Sequence, residues 1–146
     1  MVDIVNPETR SRMMAGIRGK DTKPELVLRR ALHASGLRYR LHGAKLPGKP
    51  DLVFAKYRAA VFVHGCFWHR HRNCRFATIP ATRAEFWETK FSANVQRDAR
   101  NEAALRDAGW RIAIVWECSM KERSIDAIVQ TLREWLPDRR RREIEI

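Results

Sequence analysis

The sequence predicts an α/β fold, a mixed sheet flanked by helices, and three observations carry that expectation. Two short runs, Asp51 to Ala55 and Ala59 to Val63, are apolar without alternation, the pattern of strands buried on both faces. Longer amphipathic stretches with helix start and stop signals lie before and after them. A third apolar run, Arg111 to Trp116, follows the second helical stretch, so the elements come in the order αβββαβα.

Residues 1–20 carry Arg10, Arg12, Arg18 and Lys20 around Met13, Met14 and Ile17. Neither a strand nor a long helix is forced there, and a short helix or surface arm that orders on binding is expected. Thr22-Lys23-Pro24-Glu25 is a capping box with proline in the first turn, and Leu26, Val27, Leu28, Ala31 and Leu32 carry the helix to a stop at Ser35-Gly36. Leu37, Tyr39 and Leu41 alternate with Arg38, Arg40 and His42, the period of a strand with one wet face. A turn-rich stretch from Gly43 to Pro50 leads into the buried pair, joined by Lys56-Tyr57-Arg58. Thr82-Arg83-Ala84-Glu85 reads as a second capping box, opening a helix to about Asp107 with a break near Ser92. After the strand Arg111 to Trp116, a last helix runs from near Ser124 through Ile128, Leu132 and Trp135 until Pro137, and Asp138-Arg139-Arg140-Arg141-Arg142 opens a charged tail.

A chain of 146 residues with 45% hydrophobic content has enough material for one core. One domain over residues 1–146 is expected, with 1–20 as an arm and 138–146 as the tail. The net charge of +12 exceeds what solubility needs and gathers polyanions, which puts nucleic acid first among partner classes. On charge alone, a merely basic protein of ribosomal or membrane-peripheral kind is an equal alternative. No apolar run reaches the roughly 18 to 20 residues that span a bilayer. The start Met1-Val2-Asp3-Ile4-Val5-Asn6-Pro7 lacks the pattern of a secretory signal. A cytoplasmic protein without membrane contact is therefore expected, and there three cysteines point to metal binding or plain burial rather than disulfides.

Cys66, His69, His71 and Cys74 fall close together, and Cys118 lies just past the strand ending at Trp116. Zinc takes four tetrahedral thiolate and imidazole ligands and locks irregular segments that have little core of their own. Five residues compete for four places here. The alternative makes the cysteines small buried hydrophobes and the histidines polar loop residues.

Asp51 opens a buried strand, where a carboxylate needs a partner or a metal, and Mg2+ with its oxygen ligands suits it. The neighbouring strand would bring a carbonyl near Val63 and the imidazoles of His64 and His69 to the same end. Asp51 as a turn residue capping the backbone is the competing reading. Histidine titrates near neutrality, so His69, if not on zinc, is suited to take a proton from an attacking water, with a carboxylate to orient it. Asp98 is the candidate, on a helical face with Lys90 and Asn94, although that periodicity alone favours a solvated face. Glu25 is explained by its capping box, yet a carboxylate at a helix start can also face a metal. Phe67-Trp68 and Phe86-Trp87 are either core residues or wedges for a weakened base stack. Burial is the preferred reading for Phe86.

Taken together, the motifs resemble a known family, the very-short-patch repair (Vsr) DNA mismatch endonucleases. The resemblance runs from Thr9-Arg10-Ser11 through Leu46-Pro47-Gly48-Lys49-Pro50-Asp51, His64-Gly65-Cys66-Phe67-Trp68-His69, Pro80-Ala81-Thr82-Arg83, Glu85-Phe86-Trp87, Asn94-Val95 and Gly109-Trp110-Arg111 to Val115-Trp116-Glu117-Cys118. It implies a restriction-endonuclease-like fold with a structural zinc site, and Mg2+-dependent nicking of double-stranded DNA 5′ to the thymine of a T:G mismatch left by 5-methylcytosine deamination. It implies further that Asp51 and the carbonyl of Val63 hold Mg2+, that His69 and Asp98 handle the proton, that His64 lies near the phosphate, and that Glu25 matches an acidic position of the family. Cys66, His71, Cys74 and Cys118 would bind Zn2+. Phe67, Trp68 and Trp87 would wedge from the major groove and Met14 and Ile17 from the minor groove, while Lys90 and Asn94 would contact the mismatch. Two departures are an extra residue between His71 and Cys74 and Val63 in place of a threonine. A monomer acting on nucleoid DNA, with mismatch-repair proteins as possible partners, completes the expectation. The alternatives are a related nickase with other mismatch or flank specificity, and a zinc-stabilised DNA-binding protein that does not cut.

Overall fold

Side chains alternate between the two faces of a strand, so a strand that is apolar at every position needs cover on both. The two longest strands buried in this way are β3 (Ala59–His64) and β4 (Arg111–Trp116). In the structure, a computed structural model that describes residues 21–146, they pair in parallel at the centre of a five-stranded sheet. Around them stand β1 (Arg40–Leu41), β2 (Leu52–Phe54) and β5 (Glu143–Glu145), giving the order β1-β2-β3-β4-β5. The β1–β2 and β2–β3 pairs are antiparallel and β4–β5 is parallel, so the sheet is mixed, as expected.

Helices α1 (Lys23–Ala34) and α4 (Ile125–Trp135) cover one face. There Leu28, Leu32, Ile128, Leu132 and Trp135 pack on Leu52, Phe54, Val61, Ala113 and Val115. The other face joins Ala60, Phe62, Ile112 and Ile114 to Leu105 of α2 (Ala84–Asp107) and to Cys66 and Cys118. A short helix, α3 (Glu117–Glu122), follows β4 directly and carries Cys118. Because β3 and β4 run the same way, His64, Trp116 and the residues after them reach the same edge of the sheet. Open α/β sheets place their sites at that carboxyl edge.

Several sequence expectations change. Only Arg40–Leu41 of the alternating stretch pairs as strand, because His42 turns the chain at a φ of 49°. The second capping box does not form: α2 begins after Arg83, whose φ is 58° and whose side chain makes no cap, and the helix runs unbroken past Ser92. The charged tail ends in β5, with Ile146 donating its N–H to Ile114 and accepting that of Trp116. The arm, with Met14 and Ile17, lies outside the described residues. Among those residues, no helix is long and apolar enough to cross a membrane.

Arg111 ties the C-terminal part together. It is 3% exposed, and its guanidinium donates to the carbonyls of Trp135, Leu136, Asp138 and Arg141. These carbonyls lie at the end of α4, where intrahelical donors run out, and in the segment after it. A buried cation is thus satisfied by carbonyls instead of a carboxylate.

Candidate functional site

Two consecutive turns, closed by Leu46 N–H on Gly43 and Lys49 N–H on Leu46, deliver the chain to Pro50 and Asp51 at the head of β2. Gly48 at φ +77° is needed there, since a Cβ would lie 3.1 Å from the Cβ of Asn101 on α2. The strand register sets Leu52 opposite Val61, which puts the end of β3 beyond β2. Asp51 fills that gap: its Oδ2 accepts the Val63 N–H at 2.7 Å. In an extended strand a residue's N–H and C=O point the same way, so the Val63 carbonyl faces the Asp51 side as well.

A second carboxylate lies beside Asp51. Glu25, in the first turn of α1, is 1% exposed; its Oε2 accepts from the Asp21 N–H and from Arg29, and the His42 ring lies 3.3 Å away. The Thr22 side chain caps the helix by accepting the Glu25 N–H. Burial first, and the adjoining Glu25 second, push the Asp51 carboxyl up to about 8, against the pull of the Val63 N–H. Glu25 Oε1 is buried without a hydrogen-bond partner. The partly buried Asp51 carboxyl and the buried Glu25 carboxyl with its unpartnered Oε1 form a donor set of hard oxygens, which fits a small divalent cation such as Mg2+.

The histidines stand on the other wall of the same cavity, which Asp51, Val63, His64, His69 and Asp98 line together. His69 Nδ1 is 2.6 Å from Asp98 Oδ2. Burial alone would raise Asp98, but the hydrogen bond and the charges of His69 and His64 hold it below the ordinary range. His64 is stacked on His69 with ring centroids 3.8 Å apart, and burial followed by the nearby His69 lowers it to about 3. It is therefore a neutral ring that supports His69 without competing for its proton.

Beyond His69 the loop folds away and presents the soft donors. Atoms of Cys66, His71, Cys74 and Cys118 lie within 4.8 Å of one another, close to the ~3.8 Å edge of a tetrahedron drawn with zinc–sulfur bonds. Of the five candidates for four places, the structure groups His71 with the cysteines and leaves His69 on Asp98. His71 stacks on Trp116 at 4.1 Å, and the Cys118 N–H donates to Cys66 Sγ. Burial pushes the Cys66 thiol up to about 12. Burial would do the same to Cys74, but the N–H groups of Phe76 and Ala77 and the neighbouring thiols outweigh it and lower that thiol.

A groove runs from Asp51 and His69 past Trp68, Trp87, Lys90 and Asn94. Phe67 and Trp68 are half-buried, whereas Trp87, read as a wedge, is only 3% exposed and forms the floor, edge-on to Phe67 at 5.7 Å. Phe86, expected in the core, is instead 45% exposed under Arg83. Asn94 is buried, its amide donating to the Trp68 carbonyl and accepting from Arg97, so it anchors the loop while Lys90 stays exposed. Sequence reasoning missed Arg70, which lies 3.9 Å over Phe91 and donates to the carbonyls of Phe67, Ala77 and Thr78. It missed Arg29 and His42 too. Only the i, i+4 spacing of Glu25 and Arg29 hinted at either.

Oxygen donors facing an Asp-supported histidine, beside an aromatic and cationic groove, define a hydrolase-type centre open to a polyanion. The family model of DNA mismatch endonuclease Vsr matches residues 2–75. Similar proteins include the type II nicking enzyme V.XorIIP of Xanthomonas oryzae pv. oryzae, 48% identical over 84% of this chain and 89% of its own. DNA mismatch endonuclease Vsr of Escherichia coli is 43% identical over 93% of this chain and 88% of its own. The type II nicking enzyme V.NmeAIP of Neisseria meningitidis is 42% identical, covering 86% and 89%. The chain belongs to the Vsr family of DNA mismatch endonucleases.

Proposed function

We propose that this protein nicks one strand of duplex DNA 5′ to the thymine of a T:G mismatch, as one endonuclease domain of restriction-endonuclease-like fold with catalytic Mg2+ and structural Zn2+. The observation that carries the reading is the His69–Asp98 pair at 2.6 Å, facing Asp51 across one cavity. Asp51, the Val63 carbonyl and Glu25 would hold the Mg2+. When bound, Mg2+ polarises the scissile phosphate and neutralises developing charge. With Nδ1–H given to Asp98, His69 presents Nε2 to the attacking water and takes its proton. Asp98 stabilises the imidazolium, and His64 keeps the ring in place from below. Attack at phosphorus releases the 3′-oxygen, leaving a 3′-hydroxyl and a 5′-phosphate.

Phe67 and Trp68 stand over the Trp87 floor as the wedge, and Lys90 sits beside them to meet the mismatch. A mismatch lowers the unstacking cost that such a wedge must overcome. Cys66, His71, Cys74 and Cys118 hold the loop that carries both the wedge and His69. The second reading is a different mismatch or flanking preference. The 48% identity to a nicking enzyme with its own designation, against 43% to the E. coli mismatch endonuclease, favours testing it.

Labelled duplexes carrying each single mismatch in several flanks, incubated with the protein and Mg2+, decide between the two. The main reading expects one nick 5′ to the thymine of T:G and none in the paired T:A duplex. Equal cutting of all mismatches, or binding without any nick, overturns it.

A further inference from the structure

The triad Asp21, Glu25 and His42 brings its ligating atoms within 4.8 Å of one another beside the candidate Mg2+ site. It resembles a second cation site, but the place is already filled by protein groups. Arg29 Nη1 donates to Asp21 Oδ1 at 2.7 Å and to Glu25 Oε2 at 3.0 Å. His42 Nε2 lies 3.2 Å from Asp21 Oδ1 and 3.3 Å from Glu25 Oε2. The Asp21 N–H adds a further donor to the same Glu25 oxygen at 3.0 Å. A metal ion here would meet a guanidinium, and the oxygen it needed is in use.

Crowding three donors onto one carboxylate oxygen has a consequence for the other. Glu25 is 1% exposed, so it cannot exchange orientations through solvent, and Oε1 remains buried with no hydrogen-bond partner while Asp51 lies alongside. His42 also reaches Asp51 directly, because its backbone N–H donates to the Asp51 carbonyl at 2.9 Å. Its left-handed turn at φ 49° lets one residue hold Asp51 by the main chain and Glu25 by the ring. His42 thereby ties the Asp51 main chain to the Glu25 side chain.

We propose that His42 and Arg29 are positioning residues for the reaction: they occupy Glu25 Oε2, tie Glu25 to the Asp51 strand, and keep Oε1 free for the divalent cation that Asp51 binds. The inference rests on the assignment of that cation to Asp51 and Glu25. Partners that orient a ligating side chain commonly carry about 10- to 100-fold in metal affinity.

Mn2+ binding, followed by electron paramagnetic resonance on the protein as purified and without DNA, tests it together with nicking rates measured across Mg2+ concentration. His42→Ala and Arg29→Ala are expected to weaken Mn2+ binding about tenfold or more and to raise the Mg2+ concentration for half-maximal nicking, with duplex affinity unchanged. His42→Gln and Arg29→Lys, which keep a donor in place, are expected to restore most of both. Thermal melts of all four identify any variant that has merely unfolded, and the conservative pair then carries the comparison. Wild-type Mn2+ affinity in folded His42→Ala and Arg29→Ala, or equal losses in the alanine and conservative variants, overturns the positioning role. Asp51→Ala separates the two levels. If it abolishes Mn2+ binding while the His42 and Arg29 variants bind normally, only the positioning role fails; if it binds Mn2+ as wild type does, the cation assignment fails and the positioning role with it.

Discussion

Two carboxyl groups side by side and out of bulk water repel unless a proton or a cation stands between them, and partly buried Asp51 and buried Glu25 are in that position. With burial and Glu25 pushing Asp51 up to about 8, the metal-free carboxyl holds its proton more tightly than an ordinary aspartate does. The sign follows from which state binds that proton more tightly. Stabilisation from the raised carboxyl is complete below its ordinary 3.8 and is lost as pH rises through about 8. Divalent cations must displace the proton, so their affinity is expected to rise with pH up to about 8 and then level off. Calorimetry with Mn2+ on either side of that value, in buffers of different ionisation enthalpy, reads both the affinity and the released proton. A pH-independent affinity contradicts this electrostatic picture. Asp98→Asn retains the shape of the His69 partner but removes the charge that stabilises the imidazolium. Single-turnover nicking is expected to fall on the order of 100-fold or more with duplex affinity unchanged. Asp51 was legible in the sequence because a carboxylate opening an apolar run is out of place. His42 and Arg29 were not, because their role depends on a helix and a turn meeting in space.

Elements were legible where they carry a period or a stop signal. The apolar runs around Val61 and Ile114, the Thr22 cap and the Pro137 stop all lie where the pattern put them. Glu143–Glu145 escaped because a three-residue edge strand buries almost nothing and is held by β4 rather than by its own pattern. Helix α3 escaped because it starts from Trp116 with no side-chain cap. The placing of β5 depends on Arg111, whose guanidinium holds the end of α4 and the segment leading to β5. Arg111→Leu takes the guanidinium donor from the buried Leu136 carbonyl and a second donor from that of Trp135, and is expected to cost about 3 kcal/mol of unfolding free energy in urea titrations. A loss below about 0.5 kcal/mol, the size of an ordinary surface substitution, contradicts the role given to this residue. The loop from Cys66 to Cys74 has no regular structure of its own, and its fixed points are thiols, His71 and Arg70. Elemental analysis is expected to find one Zn2+ per chain, and removing it by chelation is expected to lower the melting temperature and abolish nicking even in excess Mg2+. A metal-free chain with full activity contradicts that assignment.

At the scale of the molecule, two parallel strands carry the histidines and Cys118 to one edge of the sheet, and β2 delivers Asp51 to the same edge. Hard oxygen donors, a histidine–aspartate pair and a set of soft donors thus meet near one edge of the sheet without sharing residues. The net charge of +12 gives the attraction for a duplex, and the aromatic groove gives a reason to prefer a distorted one. Charge was legible from composition and the two candidate donor sets from residue types, but spacing left five candidates for four places; the family resemblance put His71 with the cysteines, the folded loop groups it there, and the mismatch came only from family membership. The claim that joins these parts is that the Asp51 and His69 centre cuts DNA at the mismatch that the groove holds. Its most direct test is single-turnover nicking of a T:G duplex with Mg2+ by wild type and by Asp51→Asn, with duplex affinity measured for both. Wild type is expected to cut once, 5′ to the thymine, and Asp51→Asn to bind equally well while cutting slower by on the order of 1000-fold. Equal cutting rates for the two proteins would contradict it.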